Sequence, residues 1–200
     1  MCQLAKRKTD KQSQPGRLRI VAGNWRSRLL EIADVPGLRP TSARIRETLF
    51  NWLAPRIAGA RCLDLCAGTG ALGLEALSRG AASCDFVESS ARATKTLRSN
   101  IATLRASSAI VHEMKAEDYL LNAGSTQYDV VFLDPPFAAD MHAELCRLLE
   151  AGDLLADDAR VYVEADRSQP NPEFPERWRV LKSKEAGNVR YSLLTTGNNN

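Results

Sequence analysis

The sequence predicts an α/β fold: a mostly parallel seven-stranded sheet with helices on both faces, preceded by a small N-terminal β-hairpin. Three observations carry this. From Arg61 onward, short apolar runs of strand length alternate with segments of helical period, the pattern of a parallel sheet whose crossovers are helices. The first run, Arg61–Leu65, breaks into the small-residue loop Cys66–Gly70 and resumes at helical spacing through Leu72, Ala76 and Leu77, which makes a strand, a tight turn and a helix. A later run, Tyr128–Leu133, leads directly into Asp134-Pro135-Pro136-Phe137. Ligands of such sheets bind beyond the carboxyl ends of the strands, so the two loops are expected to face each other across one crevice.

Taken in order, residues 1–14 are polar and aperiodic and read as a disordered basic tail. From Arg17 two short strands joined near Gly23-Asn24 are expected, with Arg17 and Arg19 on one face and Leu18 and Ile20 on the other. Trp25, set beside Arg26 and Arg28, either stacks on a base or anchors the hairpin. In the next segment Thr41 or Ser42 can cap a helix whose apolar stripe is Ile45, Leu49, Trp52 and Leu53 and which Pro55 closes. Arg44 and Arg46 lie off that stripe, free for an RNA phosphate or a cofactor carboxylate, or simply solvated. Residues 15–56 thus form a hairpin-and-helix unit, and residues 57–196 the sheet domain.

In that domain Gly80 ends the turn after the glycine loop and its helix, and Cys84–Glu88 is the second strand. Residues 90–104 make a basic-faced helix, Ala109–Met114 the third strand and Tyr128–Leu133 the fourth. A helix from about Asp140 to Glu150, a strand Arg160–Glu164 and a pair around Trp178–Lys184 and Arg190–Thr195, joined near Gly187-Asn188, complete the sheet. Residues 197–200 read as a frayed tail.

Composition narrows the function classes. A chain of 200 residues, 44% of them hydrophobic, suits one domain with a real core. The sequence has no apolar run of membrane-spanning length, and its basic start lacks an apolar h-region, so a cytoplasmic protein with no membrane contact is expected. The five cysteines, Cys2, Cys62, Cys66, Cys84 and Cys146, include no Cys-x-x-Cys pair and read as free thiols in a reducing compartment. His112 and His142 have no ligand-like neighbours and read as incidental, so no metal is expected. The net charge of +3 conceals an asymmetry, because residues 1–56 hold twelve Lys or Arg against four Asp or Glu. A basic front on a mildly acidic body points to a polyanion, most simply nucleic acid. A solubilising tail would account for residues 1–14, but less well for the arginines after them.

The motifs carry chemistry. Glycines in a turn that opens a helix let a ligand approach the main chain and the helix's unpaired N–H groups, which suits a nucleotide-like cofactor. The frame here is Asp64-x-x-x-Gly68-x-Gly70, not the Gly-x-Gly-x-x-Gly of dinucleotide sites. Glu88 stands eighteen residues beyond Gly70, where a βαβ unit brings a carboxylate to a cofactor ribose. Asp134-Pro135-Pro136-Phe137 meets the demands of group transfer to an exocyclic amine, whose lone pair is delocalised into its ring. The Asp134 carboxylate and the Pro135 carbonyl can accept the two N–H bonds and aim the lone pair. The prolines stiffen the loop, and Phe137 offers a face to a base taken out of its stack. Each motif alone also reads as an ordinary turn after a strand. Their common register favours the functional reading.

Asp64–Gly70 with Glu88 resembles motif I of the class I S-adenosylmethionine (SAM)-dependent methyltransferases, which have a Rossmann-like fold and often carry a glycine where Cys66 stands. Asp134–Phe137 resembles motif IV of those acting on amino groups of adenine, guanine, cytosine or glutamine. Most of the chain, through Arg19–Arg28, Leu38–Leu53, Asp64–Gly80 and Asp134–Phe137, resembles the RsmD family of bacterial rRNA guanine-N2 methyltransferases, with the Arg39-Pro40-Thr41 helix the most specific part. The resemblance implies SAM as donor, S-adenosylhomocysteine as product, no metal, and the N2 amine of one guanine in 16S rRNA as acceptor. A monomeric enzyme acting on the assembled or partly assembled small subunit is expected. The cofactor site it implies is Arg39, Thr41, Asp64, Cys66, Ala67, Gly68, Thr69, Gly70, Glu88, the backbone of Ala116 with Asp118 beside it, and Asp134. Catalysis is expected of Asp134, Pro135, Pro136 and Phe137, and RNA contact of Arg17, Arg19, Trp25, Arg26, Arg28, Arg44 and Arg46.

Three other readings compete. An amino-methyltransferase for DNA adenine would usually need an added recognition domain, and one for protein glutamine favours Asn-Pro-Pro-Tyr. A non-catalytic RNA-binding assembly factor would have little use for an intact Asp134 and Phe137. A nicotinamide-dependent oxidoreductase lacks the third-glycine spacing.

Overall fold

A computed structural model describes residues 16–136 and 141–197. The expectations for residues 1–14, for Phe137 and for the last three residues lie outside the described residues. The hairpin consists of β1 (Arg17–Arg19) and β2 (Leu29–Glu31), paired antiparallel, and is followed by α1 (Ala43–Leu53). Leu18 and Ile20 are buried while Arg17 and Arg19 are exposed, as alternation requires. Ser42 caps α1 by accepting from the Ile45 N–H at 3.3 Å.

The sheet is built from β3 (Arg61–Leu65), β4 (Ser83–Glu88), β5 (Ala109–Glu113), β6 (Tyr128–Leu133), β7 (Leu155–Asp166), β8 (Arg179–Ala186) and β9 (Val189–Thr195). Its order is β5-β4-β3-β6-β7-β9-β8, parallel from β5 to β7, with β9 antiparallel to both of its neighbours. β3 and β6 are covered on both faces, which is why they read as continuous apolar runs. Edge strand β8 is exposed almost throughout and carries Lys182 and Lys184, a charge pattern that discourages pairing with another edge.

One face of the sheet packs against α1, α2 (Ala71–Ser78) and α3 (Ala91–Leu104), and the other against α4 (Ala116–Asn122) and α5 (His142–Ala151). No helix among the described residues is long and apolar enough to cross a membrane. Two elements go beyond the sequence expectation. α4 was not expected, because its two turns are too few to show a period; Glu117 and Asp118 in its first turn favour it through the helix dipole. β7 starts at Leu155 rather than near Arg160, since a register shift between Tyr128 and Val130 of β6 lets the early residues pair.

The hairpin is locked to α2. Gly23 sits at φ 82° directly against the Ser78 carbonyl, where any Cβ would collide. Asn24 N donates to Ser78 O at 2.7 Å, and Trp25 N donates to Ser78 Oγ at 3.0 Å. Beneath them Glu75, fully buried, accepts from Val21 N (2.8 Å), Ala22 N (2.9 Å), Arg46 Nη1 (3.0 Å) and Arg79 Nε (2.9 Å). One carboxylate therefore satisfies two backbone donors and two guanidinium groups from three separate segments.

Candidate functional site

The order of the sheet reverses between β3 and β6, with β4 and β5 on one side and β7 on the other. Such a switch point leaves a crevice at the carboxyl ends of the strands. The loop after β3 and the segment after β6 flank it.

The loop's backbone explains its residues. Cys66 has φ 70° and Gly68 φ 53°, both in the left-handed region. A non-glycine residue there costs on the order of 1–2 kcal/mol, a strain that Cys66 bears. Ala67 N donates to Val87 O at 2.8 Å and ties the loop to β4. Leu38 lies over Gly68, so that a Cβ on Gly68 would come within 2.8 Å of its Cδ1. The segment before α1 thus roofs the loop.

Asp64 is buried in β3 and accepts from Gly73 N at 2.9 Å, which fixes the first turn of α2. Burial pushes its carboxyl up to about 7 against the Gly73 hydrogen bond, and Glu88 and Glu164 add to the rise. Glu88, half-buried at the end of β4, accepts from Gly68 N (2.8 Å) and Ser90 N (2.7 Å), so loop and acid meet as their register predicts. Asp134 follows β6, and the buried Thr41 donates its hydroxyl to Asp134 Oδ2 at 3.4 Å. Burial raises the Asp134 carboxyl well above the ordinary carboxylate range, reinforced by Glu164 and Asp64 and opposed by Thr41. Pro135 is buried and Pro136 exposed.

Burial pushes the Cys66 thiol up, and the acidic groups Glu88, Asp134, Asp64 and Glu117 add to the rise. Thr69 and Gly70 are buried at the start of α2, Ala116 is buried at the start of α4, and Asp118 is exposed. Glu117 Oε2, next to Ala116, is buried without a hydrogen-bond partner among the described residues. Sequence reasoning missed Glu117, and it missed Glu164, which is buried in β7 beside the register position of Asp134. Glu164 ends an apolar run just as Glu88 does, and that was the available signal. A separate cavity of about 250 Å³ at the amino ends of the strands, lined by Arg56, Gly59, Asp129 and Asp158, holds none of these residues.

Arg17, Arg19, Arg26, Arg28, Arg39 and Arg44 are exposed. Arg46 is a correction. It is buried, with Nε donating to Thr41 O (3.2 Å), Nη1 to Glu75 and Nη2 to Arg19 O (2.8 Å), so it holds the hairpin and roof in place and offers nothing to RNA. Its spacing to Leu49, Phe50 and Leu53 is i+3, i+4 and i+7, in phase with the buried face and not off it. Trp25 is half-buried and packs against the core. The two histidines bond locally, His112 Nε2 with Asp85 Oδ1 (2.6 Å) and His142 Nε2 with Glu164 O (2.7 Å).

The family model described as "Conserved hypothetical protein 95" matches residues 18–195. The chain is 46% identical over 186 residues, 93% of each chain, to "Ribosomal RNA small subunit methyltransferase D" of Escherichia coli (strain K12). It is 41% identical over 190 residues to the protein of that name from Haemophilus influenzae, covering 94% of this chain and 98% of the relative. The solved structure of the "Putative methyltransferase yhhF from Escherichia coli" superposes with a TM-score of 0.84 at 43% identity, covering 92% of this chain and all of the other. With its glycine loop, the Glu88 carboxylate and the Asp-Pro-Pro segment at one switch point, and with relatives this similar along nearly its whole length, the chain belongs to the ribosomal RNA small subunit methyltransferase D (RsmD) family.

Proposed function

We propose that this chain is a SAM-dependent methyltransferase that methylates the exocyclic N2 amine of one guanine in 16S rRNA of the small ribosomal subunit, acting without a metal. The observation that carries the reading is the meeting of the Cys66–Gly70 loop, Glu88 and Asp134 at the switch point of the sheet. The residues fit the cofactor. Left-handed backbone at Gly68 leaves room for close approach, Glu88 offers acceptors for ribose hydroxyls, and the unpaired Glu117 Oε2 beside Ala116 offers one for an amino group. The acidic groups acting on Cys66, Glu88 foremost, suit a cationic sulfonium.

SAM supplies an electrophilic methyl group. This chain's own residues do the rest. Asp134 accepts one N–H of the guanine amine through its carboxylate, the Pro135 carbonyl accepts the other, and together they localise and aim the lone pair. Phe137 provides the stacking face for the base. Arg39 and Thr41 belong to the roof over the cofactor, and Arg17, Arg19, Arg26, Arg28 and Arg44 to the RNA grip, with phosphate contacts that position rather than identify the substrate. The enzyme is read as a cytoplasmic monomer. Incubation with labelled SAM and small subunits lacking the modification, followed by nucleoside analysis, tests the reading. Label in N2-methylguanine supports it, and label in another nucleoside or in protein overturns it.

Three expected results belong to this reading. Gly68→Val adds a β-branched side chain at φ 53° under Leu38, so SAM binding should be lost in calorimetry while the fold persists. Glu88→Ala should weaken SAM by about 1.5–3 kcal/mol for each charge-assisted bond lost; unchanged affinities would remove the loop and the acid from the site. Charge removal at Arg17, Arg19, Arg26 and Arg28 should lower affinity for the subunit and flatten its dependence on salt, with SAM affinity unaffected. Equal salt slopes for parent and variant would place the RNA surface elsewhere.

A further inference from the structure

The hairpin arginines lie to one side of the crevice. The hairpin rests on α2 through Ser78 and on α3 through Asn100, whose Oδ1 accepts from Glu31 N at 3.0 Å while its Nδ2 donates to Glu31 O at 2.9 Å. Those two helices cover the β5-β4-β3 half of the sheet. Asp134 follows β6, beyond that half, so an RNA strand gripped by the hairpin alone would be fixed on one side of the reacting base.

The other half of the sheet carries cations of its own. In β8, Lys182 stands opposite Leu193 and Lys184 opposite Tyr191, and both partners belong to the core under α1, so the two lysines share the α1 face of the sheet. Leu133 is level with Val163, which sets Asp134 level with Glu164; Glu164 in turn pairs with Tyr191, and Tyr191 with Lys184. Asp134 and Lys184 therefore end one row across the sheet, about 14 Å apart at the usual strand spacing. Over that row α1 lays Trp52 on Tyr191, with ring centroids 5.5 Å apart and planes at 26°. Arg44 and Thr48 precede Trp52 at i−8 and i−4, so the exposed Arg44 lies on the same side of α1 as the half-buried Trp52.

Protection of the β8 edge accounts for charge on the strand, but not for its distribution between the two faces. On the α5 side, Glu185 pairs with Arg167 and Arg190. On the α1 side, Lys182 and Lys184 are exposed and form no ion pair among the described residues. Of the acids on this side, Asp166 is taken up by Ser168, whose N and Oγ donate to it at 2.8 and 2.7 Å, and Glu47 stands alone against Arg44, Lys182 and Lys184. Unpaired cations beside a partly open aromatic ring suit a sugar–phosphate backbone, which supplies the missing counter-charge.

We propose that the α1 face of the β8–β9 ribbon, with Lys182 and Lys184 beside Arg44 and Trp52, is a second RNA-contact surface, holding the substrate on the opposite side of Asp134 from the hairpin. The inference rests on the reading of the chain as an rRNA methyltransferase. The hairpin and the ribbon then hold the RNA at two points with the acceptor crevice between them, and phosphate contacts on both sides orient the target base without identifying it.

The test compares the parent with the double variant Lys182→Gln/Lys184→Gln, whose changes are confined to exposed positions of an edge strand. Arg167→Gln/Arg177→Gln is the charge-matched control, since those arginines pair with Glu185 and with Glu150 of α5, away from the α1 face. Affinity for small subunits, and at low salt for a single-stranded RNA oligonucleotide, is measured against salt concentration. Loss of two phosphate contacts should reduce the slope of log affinity against log salt by about 1.4 for a single strand and about 1.8 for a duplex, with no such change in the control. KM for small subunits should rise on the order of tenfold. The kcat at saturating subunits should stay within about twofold of the parent's, and SAM affinity in calorimetry should be unchanged. In the unmodified protein, bound subunits should shield Lys182 and Lys184 from acetylation by acetic anhydride, read by mass spectrometry. A lysine variant with the slope of the parent or of the control, or lysines acetylated equally with and without subunits, would overturn the proposal. A change seen with subunits but absent with the oligonucleotide would assign this face to an acidic protein and overturn it as an RNA surface. A parent that binds neither subunits nor RNA would instead overturn the rRNA reading itself, which keeps the two failures apart.

Discussion

Asp134→Ala should cost the enzyme most of its methyl-transfer rate, on the order of 10²–10³-fold, while SAM affinity changes little. In the proposed reaction the interaction it removes belongs to the transition state, where the amine nitrogen gains a positive charge that the carboxylate following β6 would face. Asp134→Asn separates two contributions, since it keeps shape and one acceptor oxygen but removes the charge, so an intermediate rate is expected. The same variant carries a pH signature. Burial beside Glu164 and Asp64 raises the Asp134 carboxyl, and only its ionised form assists the amine. In the parent kcat should therefore fall on the acid side at a higher pH than an ordinary carboxylate would give, and that fall should vanish in Asp134→Asn. Transfer by Asp134→Ala at the parent rate would reduce Asp134-Pro135-Pro136 to a turn after a strand.

The second large effect lies away from the chemistry. Glu75→Ala should destabilise the protein by about 3–5 kcal/mol, because it strands the buried Arg46 guanidinium without its counter-charge. It also removes the acceptor of Val21 N and Ala22 N, so loss should spread from α1 to the hairpin. Chemical denaturation of Glu75→Ala, Arg46→Met and the double variant distinguishes the parts. Replacing a buried pair with apolar residues often restores stability, but here the two backbone N–H groups stay unpaired, so the double variant should remain about 1–3 kcal/mol below the parent. A Glu75→Ala protein that unfolds at the parent's midpoint would mean the carboxylate holds neither segment.

Arg46 and Glu75 also show where reading a sequence stops. The strand, glycine loop and helix from Arg61 to Ser78, the acid at Glu88 and the Asp-Pro-Pro segment were legible because each signal is contiguous. A parallel sheet then obliges the carboxyl ends of β3, β4 and β6 to share one edge, so their convergence followed from the alternation of elements alone. Left-handed backbone at Gly68 was likewise allowed for by the glycines of the turn, whereas at Cys66 only the structure showed it.

The fates of individual charges were not legible in this way. Whether a carboxylate or guanidinium is solvated, paired or buried is a balance between desolvation and partners that are distant in sequence, and here Arg46 finds Glu75 twenty-nine residues away. No local pattern encodes such a pairing, so an arginine in phase with Leu49, Phe50 and Leu53 was assigned to RNA when the fold had made it a core cation. Glu164 and Thr41 belong to the same class, since they meet Asp134 only because β7 lies beside β6 and α1 crosses above them. The sequence by itself determined the elements, their order and the motifs that gather at the switch point. Tertiary structure alone decided which charged groups lost their water and which partners compensated them, because that energy depends on distances no single segment contains.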